Sequence, residues 1–288
     1  MKSKKPKRLK FKHILFGLLF GYIIICQSCM TMRMSKKETN TYFDTLKVVF
    51  ENKTFSVDNH QIHYIQTGNP ENPTLFFVHG SPGSWDAYKQ YLSDSLLLKK
   101  YRMIAIDRPG FGNSNFGKAE NLASQSKIIE TFIEKINNHK PLVLIGHSMG
   151  GPVIVKMATE FPQRYQHLVI LSGSIDPNAE NPEIWRPILM ANPIRYLIPG
   201  AMRPANDELW WLKNDLVEMK PNLKNITCDV TVIHGTKDQL VSFSNVAFIN
   251  KTFIKAKSIH TIAIENANHF IPWSHYEIIR DALLGLKF

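Results

Sequence analysis

The chain has 288 residues, of which 44% are hydrophobic and 20% charged, enough for one large domain or two small ones and too apolar for wholesale disorder. No internal period recurs and no series of long apolar runs is present, which excludes a repeat array and a multi-span membrane protein. The formal charge of +11 suggests nucleic acid, but residues 1–28 carry seven Lys/Arg and no acid, leaving 28 basic against 24 acidic side chains elsewhere, so no nucleic-acid partner is expected.

Lys2, Lys4, Lys5, Lys7, Arg8, Lys10 and Lys12 precede the apolar stretch Ile14–Cys26. Thirteen apolar residues suit the core of a secretory signal better than a full bilayer span, and the cationic flank would stay on the cytoplasmic side. Gln27-Ser28-Cys29 resembles a bacterial lipoprotein cleavage site, with Cys29 as the lipidated residue; Cys26 stands where such sites usually carry an aliphatic residue. An uncleaved anchor and an ordinary cleaved signal are the alternatives. Each reading puts the body across a membrane from the cytoplasm; the lipoprotein resemblance implies a membrane-anchored protein of the bacterial cell envelope. Beyond the leader, Cys228 is alone, so no disulfide framework is expected. Residues 30–46 read as a polar tether.

Lys47–Val57 and Gln61–Gln66 read as two strands joined by the turn pair Asp58-Asn59. Short runs apolar on both faces follow at Thr74–Val78, Met103–Ile106, Leu142–Ile145, Leu168–Leu171, Val230–Ile233 and Ile259–Ile264, the pattern of strands buried in a parallel sheet. Helical patterns lie between them at Trp85–Leu98, with Ser84 as its cap, and at Leu122–Ile136, Gly151–Phe161, Val246–Phe253 and His275–Leu286. Alternation of this kind predicts an α/β doubly wound sheet whose chemistry gathers at the carboxyl ends of strands. Between Gly173 and Thr227 the alternation stops, and segments rich in Pro, Trp and Met read as short amphipathic helices of a lid.

Gly146-His147-Ser148-Met149-Gly150 fits G-x-S-x-G. The pattern is weak alone; a buried strand entering it and a helix leaving it make the setting of a nucleophile elbow, in which a serine sits on a strained turn. A serine hydroxyl needs a base, and the base an acid. Asp238 follows the strand Val230–Ile233 and His269 follows the last strand, in the chain order Ser148, Asp238, His269.

With these features the chain resembles the α/β-hydrolase superfamily over roughly residues 47–288, with a lid at about 177–226 and residues 1–29 set apart as signal or anchor. His79-Gly80-Ser81-Pro82-Gly83 is similar to the family's H-G-x-P-G loop, and Asp107-Arg108-Pro109-Gly110-Phe111-Gly112-Asn113-Ser114 to its D-x-x-G-x-G-x-S turn. The resemblance implies a mostly parallel eight-stranded sheet with helices on both faces, a catalytic triad of Ser148, Asp238 and His269, and an oxyanion hole from the backbone N–H groups of Ser81 and Met149. Asp176 is the second choice of acid and His275 of base. His79 is expected to brace its loop, Asp107 to hold its turn, and His147 to shape the pocket; His60, His63, His139, His167, His234 and His260 lack metal-site spacing.

Haloalkane dehalogenases and epoxide hydrolases of this superfamily carry Asp at the elbow, and proline iminopeptidases carry Trp after the serine, where this chain has Met149. Esters are the default substrate of a Ser-His-Asp site, so a small-molecule carboxylic ester is the expected substrate, cleaved through an acyl-enzyme. Amides, thioesters, C–C bonds and acyl transfer on the same triad are alternatives, as is a non-catalytic binding protein on the hydrolase scaffold. Trp185, Met190, Trp210 and Trp211 of the lid are available to line an apolar acyl pocket, and no metal or organic cofactor is implied.

Overall fold

The structure, a computed structural model, describes residues 10–28 and 30–288. Cys29, the expected lipidation position, and Lys2, Lys4, Lys5, Lys7 and Arg8 lie outside the described residues. Two helices come first, α1 (Phe11–Ser28) and α2 (Lys36–Thr45), and then the hairpin β1 (Phe50–Val57) and β2 (His60–Thr67). β3 (Thr74–Val78), α3 (Lys89–Leu92), α4 (Ser95–Lys100), β4 (Arg102–Ile106), α5 (Leu122–Ile136), β5 (Leu142–His147), α6 (Gly150–Glu160) and β6 (His167–Leu171) follow. The lid holds α7 (Arg186–Met190), a 3-10 turn at Ile194–Leu197, and α8 (Met202–Met219). β7 (Asp229–Gly235), α9 (Ser244–Thr252), β8 (Ser258–Ile264), α10 (Ile271–Ser274) and α11 (Tyr276–Leu284) complete the chain.

The eight strands form one sheet in the order β1-β2-β4-β3-β5-β6-β7-β8. The β1–β2 and β2–β4 pairs are antiparallel, and every pairing from β4–β3 onward is parallel. Side chains alternate across a strand, so each apolar run feeds two cores. Phe76, Ile104 and Leu144 point to the face covered by α5, α6 and α9, whereas Leu75, Phe77 and Val143 point to the face covered by α4 and α11. β5 lies inside the parallel part, and its carboxyl end opens onto the loops after β3, β7 and β8.

Two stretches depart from the sequence expectations. Residues 36–45, within the stretch read as a tether, form α2, and Phe43 is fully buried against Phe50 and Trp85. Ser35 and Glu38 make a reciprocal capping box that starts this helix in a polar sequence. The helix expected at Trp85–Leu98 is three pieces: a 3-10 turn at Trp85–Tyr88, then α3 and α4. Asp94 breaks it by accepting from the N–H groups of Leu96 and Leu97, which makes it a new N-cap. Ser84 does not cap; its hydroxyl bonds the Asp86 carboxylate instead.

Candidate functional site

Ser148 stands at the end of β5 with φ of 52°, in the left-handed region that a serine occupies only under compulsion. The turn is held on both sides: the Ser148 N–H donates to Leu171 O at 3.0 Å, and the Gly151 N–H donates to Ser148 O at 2.9 Å. Its glycines are steric necessities. A Cβ on Gly146 would collide with the Gly150 carbonyl, and one on Gly150 with the Val78 carbonyl of β3. α6 begins at Gly150, two residues after the serine, so the positive end of its dipole lies beside the elbow.

The loops after β7 and β8 bring Asp238 and His269 together. His269 Nδ1–H donates to Asp238 Oδ2 at 2.7 Å, and the carboxylate side chain is fully buried. Its other oxygen accepts from the N–H groups of Leu240 and Val241, each at 2.9 Å. Burial alone would raise the Asp238 carboxyl, but hydrogen bonds from His234, His269 and Val241 hold it well below the usual carboxylate range. His147, next to Ser148 in the chain, donates from Nε2 to the His269 carbonyl at 3.0 Å, and the two rings lie 4.8 Å apart. This bond ties the elbow to the histidine loop. Burial, and then the charge of His269, push His147 down to about 3, so it is a neutral donor.

The loop after β3 closes on the same place. Gly80 is so near that a Cβ there would meet Ser148 Cβ at 3.0 Å. His79 is a brace, as expected: its Nδ1–H donates to Gly80 O at 2.6 Å, and its Nε2 accepts from the Arg108 N–H at 3.0 Å. Burial and the Arg108 charge push its pKa well below the ordinary value, which suits a neutral ring with one donor and one acceptor. The Arg108 guanidinium donates to His79 O at 2.8 Å and Gly80 O at 3.0 Å, and it pairs with Glu208 of α8. Asp107 holds its turn, accepting from the N–H groups of Trp85 and Asn113 and from His63 Nδ1, each at 2.8 Å.

The other expected site residues scatter. Asp176 accepts from the Asn178 N–H at 2.9 Å, and its own N–H donates to Asn245 Oδ1. His275 Nδ1 bonds the Ser274 hydroxyl, at the start of α11. In the lid, Trp185 is 46% exposed under the Arg186 guanidinium, while Met190, Trp210 and Trp211 are partly buried. No group of three His, Cys, Asp or Glu side chains among the described residues could hold a metal ion.

Two contributors were not anticipated. His234 is fully buried at the end of β7; its Nε2 lies 3.0 Å from Val241 O and 3.4 Å from Asp238 Oδ2, the same oxygen that accepts from His269. Its signal was the position four residues before Asp238 on the same strand end. Arg108 falls on an unspecified position of the D-x-x-G-x-G-x-S turn, and its partner Glu208 lies 100 residues away, beyond any local pattern.

Residues 73–196 match the family model described as "alpha/beta hydrolase fold". Over 127 residues the chain is 33% identical to an uncharacterized hydrolase, YugF, of Bacillus subtilis, a match covering 42% of this chain and 44% of that one. It is 23% identical over 185 residues to epoxide hydrolase 3 of Xenopus tropicalis, covering 59% and 48%. These matches span less than half the length of either relative. Among solved structures, a membrane phospholipase A described as a bacterial virulence factor superposes with a TM-score of 0.64 at 20% identity, over 96% of this chain and 100% of that one. The sheet order, the family match over residues 73–196 and the superposition agree on the architecture: this chain has the α/β-hydrolase fold.

Proposed function

We propose that the chain is a serine hydrolase that cleaves carboxylic esters, with Ser148 as nucleophile, His269 as general base and then acid, and Asp238 as the orienting carboxylate. The observation that carries this reading is the 2.7 Å bond from His269 Nδ1 to Asp238, whose histidine is bound through its own carbonyl to the residue preceding Ser148. That bond fixes the tautomer with the proton on Nδ1, leaving Nε2 to take the serine proton. Attack on the ester carbonyl forms a tetrahedral oxyanion, whose negative charge is met by the N–H groups of Ser81 and Met149. Donors of this kind are worth about 2.7–4 kcal/mol each in the transition state. Collapse expels the alcohol, protonated by His269, and water activated by the same histidine then hydrolyses the acyl-enzyme. Ser148 occupies the place where epoxide hydrolases of the superfamily carry Asp, which favours acyl chemistry over epoxide opening.

The membrane is the second element of the reading. α1 is apolar and long enough to cross a bilayer, and it is the only such helix among the described residues. The domain is held at the cell envelope outside the cytoplasm, by α1 or by a lipid on Cys29.

The test is intact-mass labelling of the full chain with a fluorophosphonate, beside Ser148→Ala. One adduct, absent from the mutant, is expected. A folded protein that takes no adduct would remove the hydrolase reading in favour of a binding protein. Cys29→Ser should abolish incorporation of labelled fatty acid; unchanged incorporation would refute lipidation there.

A further inference from the structure

The carboxyl end of α1 does not float free of the domain. The Gly200 N–H donates to Cys26 O at 2.7 Å, and the Ala201 N–H donates to Met30 O at 3.0 Å. The Tyr22 hydroxyl donates to Leu197 O at 3.0 Å and the Gln27 side-chain amide to Tyr196 O at 2.8 Å, while Cys26 is buried. Residues 196–201 of the lid therefore clasp the chain where it leaves the apolar helix. Most of α1 has no protein cover: Leu15, Phe16, Leu18, Phe20 and Ile25 are each more than half exposed. Side chains of that kind require lipid around them.

The lid continues this surface. α7 packs on the 3-10 turn Ile194–Leu197, and that turn packs on α1. Ile184 is 88% exposed, and Trp185, Ile188, Ile194 and Tyr196 are exposed beside it. A Trp and a Tyr next to aliphatic side chains are the residues that settle at a bilayer's headgroup level.

We infer that the exposed apolar face of the lid, residues 184–197, lies in the surface of the bilayer that anchors the chain, and that the site takes its ester from that bilayer. The substrate class is then a membrane-resident acyl ester. The occupant is lipid because both anchoring readings demand it: a retained α1 or a lipidated Cys29 each puts the bilayer boundary beside Met30, whose carbonyl is bonded to Ala201 of the lid. The lid is joined in turn to the site, since Glu208 of α8 pairs with Arg108, which holds the carbonyls of His79 and Gly80 beside Ser148. The substrate class rests on the hydrolase reading above; the position of the lid does not.

Two measurements on the full chain in phosphatidylcholine–phosphatidylglycerol vesicles separate these parts. With a phospholipid carrying a diazirine near its headgroup, adducts are expected in residues 184–197 as well as in 11–28. Adducts confined to 11–28, or crosslinks joining the lids of two copies, would overturn the proposal. The double variant Ile184→Glu/Ile194→Glu should lose about tenfold in turnover of an ester embedded in the vesicles, and stay within about twofold on soluble p-nitrophenyl butyrate. Equal turnover of the embedded ester by variant and parent would refute delivery from the bilayer. If the parent cleaves neither ester while lipid adducts still appear in the lid, the hydrolase reading fails and the membrane surface stands.

Discussion

Arg108 and Glu208 form a fully buried ion pair, with guanidinium–carboxylate contacts of 2.7 and 2.9 Å, that joins the turn after β4 to the lid helix α8. Gln125 of α5 completes the cage, accepting from Arg108 at 2.8 Å. The guanidinium spends its remaining donors on the His79 and Gly80 carbonyls, so the loop that carries Ser81 is fixed by a side chain whose counter-charge comes from the lid. Breaking such a pair leaves a buried charge uncompensated, which costs about 3–5 kcal/mol.

Glu208→Gln should accordingly lower stability by about 3 kcal/mol in urea titration and, under the proposed mechanism in which the Ser81 N–H meets the oxyanion, lower kcat more than it raises KM. A variant with parental kcat would show that the loop is held without the lid. Glu208→Asp, which keeps the charge, should restore part of the lost kcat.

Asp238→Asn should reduce ester turnover by about 10⁴-fold, since an amide in place of the carboxylate lets the wrong histidine tautomer form. Asp176→Asn should leave turnover near parental, because Asp176 is engaged with Asn178 and Asn245. The reverse ranking would transfer the acid to Asp176. His234→Phe should fall between the two, because it removes support from Asp238 without touching His269.

The inner parallel strands were readable because burial on both faces leaves no room for polar alternation: all five residues of Thr74–Val78 are buried, whereas β8, at the sheet edge, buries only Ile264. The elbow was readable for a steric reason, since only small residues fit where Gly146 and Gly150 meet neighbouring carbonyls. α2 was missed because its buried face consists of Thr39 and Phe43 alone, too little for a periodic apolar pattern, although Ser35 and Glu38 stood at capping-box spacing. The clasp on α1 and the Arg108–Glu208 pair leave no such trace. The clasp runs mostly through backbone carbonyls, and the pair joins two charged residues on distant segments.

Phe43→Ala separates a packed helix from a tether. Phe43 is fully buried and stacks on Phe50 with ring centroids 4.5 Å apart, so truncation should cost about 3–5 kcal/mol in equilibrium unfolding. A change under about 0.5 kcal/mol would mean that α2 adds nothing to the core.

His147 gives the fold a pH dependence with a defined sign. Its folded value is pushed down to about 3 from the ordinary 6.5, so the unfolded chain binds a proton that the native state refuses. The native state has its full stability above pH 6.5 and loses it as pH falls from 6.5 toward 3. At about pH 5 the loss from this group is about 2 kcal/mol relative to neutral pH. His147→Gln keeps a donor for the His269 carbonyl and removes the titration, so its stability should fall by about 2 kcal/mol less than the parent's between pH 7.5 and 5. Urea unfolding of both proteins at the two pH values measures the difference. Parallel losses would mean that His147 is protonated in the native state, and the bond from its ring to His269 would then be that of a cation.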